Sequence, residues 1–316
     1  LRHGSPRARR SEKPQSGAAL QLASRMKSPL RFQHWALLAS QGILTAGLAL
    51  SFPFFAIYLH RVRGLPMSLV GAALSGTLIL TALTQVIGGE LSDLFGSKTV
   101  MEISVGAHAV TIGFMAWTMA HGAPVGVLIL VYVLAGFCGS FFNSAVRCWI
   151  AAACPVHERL GGYARLRVAA NLGWALGPAL GGALAERSYP LLFAASSAAC
   201  LACLGLVHWS VSSAPRLRSS SAFRWRDILS AAADRRFLRY CGYGFLISIV
   251  IAQFVVSLSV HCVRSVGLSE AQVGRLFALN GILVILAQAP LSRYLRRVRL
   301  TTGLAAGCLL YAAGYC

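Results

Sequence analysis

Charge is what this sequence has least of. Only 12% of its 316 residues are Asp, Glu, Lys or Arg, and only 9 are acidic. A water-soluble domain of this length needs far more charge to cover its surface. No carboxylate lies deep in a long apolar run, since Glu90, Asp93 and Glu102 all stand near run ends. No nucleophile stands beside a base, and no His, Cys or carboxylate groups fall at metal-ligand spacing. Both absences argue against a membrane enzyme or scaffold and call for no cofactor and no metal. Residues 1–34 lack the apolar core of a signal peptide. The chain starts at Leu1 and Met26 just precedes the first apolar run, which leaves open whether residues 1–25 are native.

What is abundant is hydrocarbon. Hydrophobic residues make up 56% of the chain and the mean hydropathy is +0.65. They gather in blocks, several longer than the roughly 20 residues that cross about 30 Å of lipid. Eight complete spans are expected at 35–59, 67–89, 99–120, 124–147, 168–185, 190–211, 238–261 and 271–291, with a partial ninth from Leu300. The nine cysteines fall mostly inside these spans. Cys200 and Cys203 have no His or acidic neighbour and read as small packing residues rather than a redox pair.

The formal net charge is +20, so the placement of the basic residues decides between nucleic acid and topology. Of the 29 Lys and Arg, only Arg61, Arg63, Arg187 and Arg264 lie on one set of alternate loops, with Arg275 near a span end. The remainder lie in the tail and the opposite loops. That is the positive-inside pattern, which puts the N-terminus in the cytoplasm of a multi-pass cell-membrane protein. The partners it implies are the lipid bilayer, anionic lipid included, and no nucleic acid.

An internal repeat organises the chain. Residues 60–71 read His-Arg-Val-Arg-Gly-Leu-Pro-Met-Ser-Leu-Val-Gly, and residues 261–274 read His-Cys-Val-Arg-Ser-Val-Gly-Leu-Ser-Glu-Ala-Gln-Val-Gly. Each carries His-x-Val-Arg after a span and enters the next through Gly-Leu-x-x-x-x-Val-Gly. The offset that pairs Gly71 with Gly274 also carries Gln85 onto Gln288. Six spans separate the copies, so both point the same way through the membrane, as in a parallel duplication. The expected division is a basic cytoplasmic tail at 1–34, a six-helix half at 35–212 and a cytoplasmic linker at 213–237. The start of a second, incomplete half follows at 238–316, to be completed by about three further spans beyond Cys316. The linker includes a candidate surface helix around Phe223, Trp225, Ile228 and Leu229.

Two motifs carry a family resemblance. The loop Gly89-Glu-Leu-Ser-Asp93-Leu-Phe-Gly96-Ser-Lys98 resembles the signature loop of the major facilitator superfamily, with Leu94 and Ser97 where that family favours arginines. Gly89 is expected to admit a neighbouring helix and Gly96 to make a tight turn. The resemblance makes Asp93 a latch on a helix N-terminus of the other half. The fifth span contains Gly173-Trp-Ala-Leu-Gly177-Pro178-Ala-Leu-Gly181-Gly182. It matches the Gly-x-x-x-Gly-Pro-x-x-Gly-Gly motif of the drug/proton antiporter branch. Gly173, Gly177 and Gly181 share one helix face, while Pro178 denies Trp174 its helical hydrogen bond. A hinge or seal between alternating states is the role implied. That branch also carries an arginine in its fourth span, where this chain has Tyr132 and Ala135.

The fold class expected is therefore an all-α membrane protein of the major facilitator type, with two parallel six-helix halves. About eight complete transmembrane helices and a partial ninth belong to this chain. The resemblance implies a monomer that exports hydrophobic small molecules by alternating access, with protons as the coupling ion. A sugar-like or amino-acid-like metabolite facilitator or symporter is the alternative. Candidate cavity residues, polar at membrane depth, are Gln41, Asn143, Asn171, Gln253 and Asn280. His108, ten residues into the third span, is the candidate proton-coupling group, while His34, His60 and His261 read as interfacial anchors.

Overall fold

The computed structural model describes residues 16–213, 233–255, 257–295 and 298–315, and these are helices and short connections. They run as α1 (Ser16–Ile57), extended by a π-helical turn at Tyr58–Val62, then α2 (Met67–Phe95), α3 (Ser97–Ala120) and α4 (Val125–Ala153). Next come α5 (Val156–Arg187), α6 (Tyr189–Ser210), α7 (Arg235–Val255), α8 (Ser257–Arg264), α9 (Glu270–Leu295) and α10 (Leu300–Tyr315). Seven described segments are long and apolar enough to cross a membrane, from Phe32–Val62 to Glu270–Ala287. Helices are the economical answer to lipid, because each satisfies its own backbone groups where no water can.

The ends of these helices follow local chemistry. Pro66, Pro124 and Pro155 each stand just before a helix, where a missing N–H costs nothing. The break between α2 and α3 falls on Gly96, whose φ of +90° an L side chain rarely adopts. The duplication is visible in the backbone as well. Gly64 and Gly267 occupy corresponding positions of the repeat with φ of +72° and +78°. Each is followed by a leucine whose N–H reaches back to the preceding helix, Leu65 to Leu59 O and Leu268 to Cys262 O.

Two expected boundaries shift. Helix α1 begins at Ser16, so part of the segment read as a tail continues the first span as helix. The seventh expected span, 238–261, falls on α7 and α8, on either side of residue 256. The candidate linker helix around Phe223 lies outside the described residues.

Packing of the first half centres on α1, which lies against both α5 and α6, while α4 bridges α2 and α3 and α6 also meets α3. Apolar lipid gives no push between helices, so contact relies on close fit and on small polar side chains. Thr84 and Ser140 share a 2.6 Å hydrogen bond between α2 and α4, and Ser104 Oγ donates to Cys138 O at 2.6 Å between α3 and α4. Ser197 Oγ donates to Ala109 O at 2.7 Å and Ser196 Oγ to Gly47 O at 2.5 Å, tying α6 to α3 and α1. The lipid side of α3 is a stripe of Ile103, Val110 and Trp117, spaced by sevens and all exposed.

Two apolar cores result. The lower one, around Leu37, Met101, Val105, Phe142, Trp149 and Cys203, belongs to the first half alone. The upper one joins Phe54, Phe55, Tyr132 and Phe193 to Val260, Val263, Val273 and Phe277 of the second half. Phe55 is fully buried and stacks on Tyr132 with ring centroids 4.2 Å apart. Replacing Phe55 with Ala is expected to cost roughly 3–5 kcal/mol. In a thermal melt of detergent-solubilised protein this reads as a clear drop in midpoint, while Leu130→Ala, on an exposed position of α4, leaves the midpoint in place.

Candidate functional site: the seam between the halves

The glycines of the fifth span define the site. A Cβ placed on Gly173 would stand 2.7 Å from Ala46 N and Gly42 O, and one on Gly177 would stand 2.6 Å from Ala46 O. On Gly181 it would meet Leu50 O and, at 2.8 Å, the ring of Phe54. No side chain fits at any of the three, so α5 lies backbone to backbone along α1. Gly182 points to another partner, since its Cβ would meet Glu270 O and stand 2.8 Å from Ala271 Cα on α9. The approach is mutual. Gly274 of α9 lies against Pro178 O, and a Cβ on Gly281 would meet Ala175 Cα at 2.5 Å. Gly177 is thus held by the first half and Gly182 by the second. Helix α5 runs through Pro178 as one helix, with Pro178 seated at the crossing with α9.

Polar contacts close this crossing at the end of the bundle that carries the α1–α2, α3–α4 and α5–α6 connections, taken as the upper end. Arg61 Nη1 pairs with Glu270 Oε1 at 2.9 Å, and Tyr189 Oη donates to the same oxygen at 3.3 Å. Glu186 Oε1 accepts from Ala271 N at 3.1 Å, and Arg264 Nη1 lies 2.9 Å from His60 Nε2. Every one of these contacts crosses between the halves. Sequence reasoning passed over this group, although the repeated His-x-Val-Arg marked both of its arginine-bearing segments. His60, read as an anchor, is instead held on both ring nitrogens.

Below the closure, two candidate cavity residues come together. Gln41 Nε2 donates to Thr45 Oγ1 at 3.1 Å and to Asn143 Oδ1 at 3.4 Å, which joins α1 to α4. Gln41 Oε1 is buried with no hydrogen-bond partner among the described residues. Asn171 is half-buried on α5 and engaged. Gln253 and Asn280 do not join this pair. Gln253 is exposed on α7, accepts from Ser257 Oγ at 2.6 Å, and borders an apolar cavity of about 450 Å³ between α7 and α10. Asn280 is exposed on α9.

The remaining candidates sit elsewhere. His108 is buried between α3 and α4, its Nδ1 2.7 Å from Ala135 O and its ring over Gly139, where a Cβ would stand 2.8 Å from Nδ1. It lies apart from the α1–α5–α9 crossing, and its Nε2 is buried with no hydrogen-bond partner among the described residues. His34 is buried as well, close to Gly162 of α5, which corrects its reading as an anchor. In the α2–α3 loop the expected close approach falls one residue early. A Cβ on Gly89 meets nothing within 4 Å, whereas on Gly88 it would stand 2.9 Å from Ser144 Cβ. Helix phase explains this, because Gly88 faces α4 and Gly89 is turned about 100° away. Asp93 is half-buried, acts electrostatically on Cys148, and has no hydrogen bond or ion pair among the described residues. Lys98 Nζ donates to His208 O at 2.8 Å and so covers the C-terminal end of α6.

Two helical units joined along a backbone seam, with paired charges closing one end above a pair of amides, define a two-half membrane carrier. The family model described as Major Facilitator Superfamily matches residues 37–316, and the chain belongs to that superfamily, whose members are transporters and not enzymes. It is 27% identical over 292 residues to the uncharacterized MFS-type transporter YdeE of Escherichia coli (strain K12), covering 92% of this chain and 73% of that one. To the multidrug resistance protein MdtH of Klebsiella pneumoniae (strain 342) it is 25% identical, covering 91% and 70%. To the quinolone resistance protein NorA of Staphylococcus aureus (strain MRSA252) it is 27% identical over 155 residues, covering 48% and 38%. Among solved structures, a D-xylose-proton symporter superposes with a TM-score of 0.60 at 18% identity, over 82% of this chain and 69% of that one, and this likeness is one of fold.

Single alanine substitutions test the α1–α5 contact directly. Ala at Gly173, Gly177 or Gly181 meets fixed backbone and is expected to cost about 1–3 kcal/mol each, seen as a lower melting midpoint. Gly88→Ala is expected to cost less, since Ser144 is a side chain that can turn. Gly89→Ala is expected to be neutral or to gain up to about 1 kcal/mol from helix propensity.

Proposed function

We propose that this chain is the core of a secondary exporter of hydrophobic, drug-like small molecules, driven by protons and working by alternating access. The observation that carries the reading is the position of the glycine motif. Gly173, Gly177 and Gly181 hold α5 against α1 within the first half while Gly182 and Pro178 of the same helix face α9 of the second, so the Pro178–Gly182 end of the motif lies where the two halves must separate for the upper end to open. A seam of bare backbone can part and re-form without side chains to re-thread, which suits a surface that opens each cycle. The names of two relatives, a multidrug resistance protein and a quinolone resistance protein, support drug-like substrates. By the distribution of arginine and lysine the upper end is the outer one, so the present arrangement is closed to the outside. The amides Gln41 and Asn143, which join α1 to α4, and the aromatic pair Phe52–Trp174, which joins α1 to α5 at 6.3 Å, suit a moderately apolar, neutral or cationic solute.

A metabolite facilitator or symporter is the second reading. The buried, unpartnered Gln41 Oε1 favours it, since an orphaned acceptor is matched by a hydroxyl or ammonium donor on a sugar-like or amino-acid-like solute.

Dye efflux discriminates the two. Cells lacking their own efflux pumps, loaded with a lipophilic cation and re-energised, are expected to lose dye when the protein is present. A protonophore should abolish that loss, and so should Gly177→Leu, which wedges α5 from α1. No dye movement from a well-expressed protein rejects the exporter reading and turns the search to metabolite uptake.

A further inference from the structure

The turn that ends α1 carries a histidine whose protonation state the geometry fixes. His60 Nδ1 lies 2.6 Å from Leu65 O, a carbonyl that can only accept, so Nδ1 bears the hydrogen. Nε2 lies 2.9 Å from Arg264 Nη1, a guanidinium nitrogen that can only donate, so Nε2 must be a bare lone pair. Both contacts hold together only in the neutral ring. A proton on Nε2 would remove the acceptor and set imidazolium against guanidinium across the boundary between the halves.

Among the described residues, the carboxylates nearby are already engaged. Arg61 and Arg63 flank His60 on its own segment, and Arg264 and His261 come from α8. From α9 come Glu270, which already holds Arg61 and Tyr189, and Arg275, which acts electrostatically on Glu186. From the end of α5 come Glu186, which already holds Ala271 N, and Arg187. His121, Tyr58 and Cys262 also stand on the elements that meet here. The surroundings are net basic, so charging His60 adds repulsion. The π-helical geometry of Tyr58–Val62 places His60 in an irregular turn, where a contact can be lost without unwinding α1.

We propose that His60 and Arg264 form a proton-sensitive latch on the upper end, shut by the neutral histidine and released when the ring takes a proton. Mild acid at that face then favours the state open to it, which delivers a proton to the carrier as that end opens. The inference rests on the alternating-access reading above and does not depend on which solute is carried.

Distance measurement across the latch tests it. Spin labels introduced as non-canonical amino acids at the exposed Leu69 and Val266 report the separation of α2 from the α8–α9 loop in lipid nanodiscs. Between about pH 7.5 and about pH 5 a longer-distance population is expected to grow several-fold. His60→Gln keeps an acceptor for Arg264 and a donor for Leu65 O but cannot charge, and should stay closed at both pH values. Arg264→Gln removes the repulsion and should flatten the pH response without depending on a change at His60. A full response surviving in His60→Gln, or one abolished only by Glu270→Gln, overturns the latch. A long-distance population equal at both pH values also overturns it while leaving alternating access intact. One short distance in the wild type and in every variant removes both.

Discussion

Lipid supplies no hydrophobic push between helices that are already apolar all round, so this bundle depends on how closely its backbones can approach. That approach is deepest along α5, where Gly173, Gly177 and Gly181 lie against α1 and Gly182 lies against α9. Everything else at the upper end follows from it. The crossing brings the N-terminus of α9 beside the end of α5, which puts Glu270 within reach of Arg61 and Tyr189 and presents Ala271 N to Glu186. A larger residue at Gly182 or Gly274 would hold these partners apart.

The polar groups divide by task. Ser and Thr pairs such as Thr84 with Ser140 stitch helices within the first half, where both partners are uncharged and satisfied. The ion pair between the halves, Arg61 with Glu270, stands instead at their crossing, while Lys98, Glu102 and His208 interact within the first half. Arg61 is largely exposed while Glu270 is mostly covered, a geometry in which the pair is neither fully desolvated nor fully screened. Such contacts are modest in strength and directional. The upper apolar core follows the same division, since it includes Val260, Val263, Val273 and Phe277 of the second half, whereas the lower core is closed within the first.

Much of this was legible in the residues. Span positions, the repeat and the glycine spacing are periodic or composition-driven signals; the first six spans and the eighth fall on long apolar helices, the seventh falls on two helices, and Gly64 and Gly267 share their left-handed turn. Less legible were the facts that depend on rotation about a helix axis. Gly88 and Gly89 are equivalent in composition, yet only Gly88 meets α4. Candidate cavity residues show the same limit. Gln41 and Asn143 meet across α1 and α4, but Gln253 and Asn280 lie on exposed faces of α7 and α9. Polarity at membrane depth marks a residue as unusual without saying which neighbour it finds.

The sequence by itself determined the class of molecule: length and apolarity of the runs demand helices across a bilayer, and the repeat with six intervening spans demands two like-oriented halves. It also determined that α5 would be the helix of closest approach, because only glycine at that spacing leaves a continuous bare face. Tertiary structure decided which partners the two sides of that face take, α1 and α9, and it alone brought His60 to Arg264 and Glu270 to Arg61. Those pairs stand about two hundred residues apart in the chain. No local pattern encodes them, since they exist only where helices from both halves cross at one end.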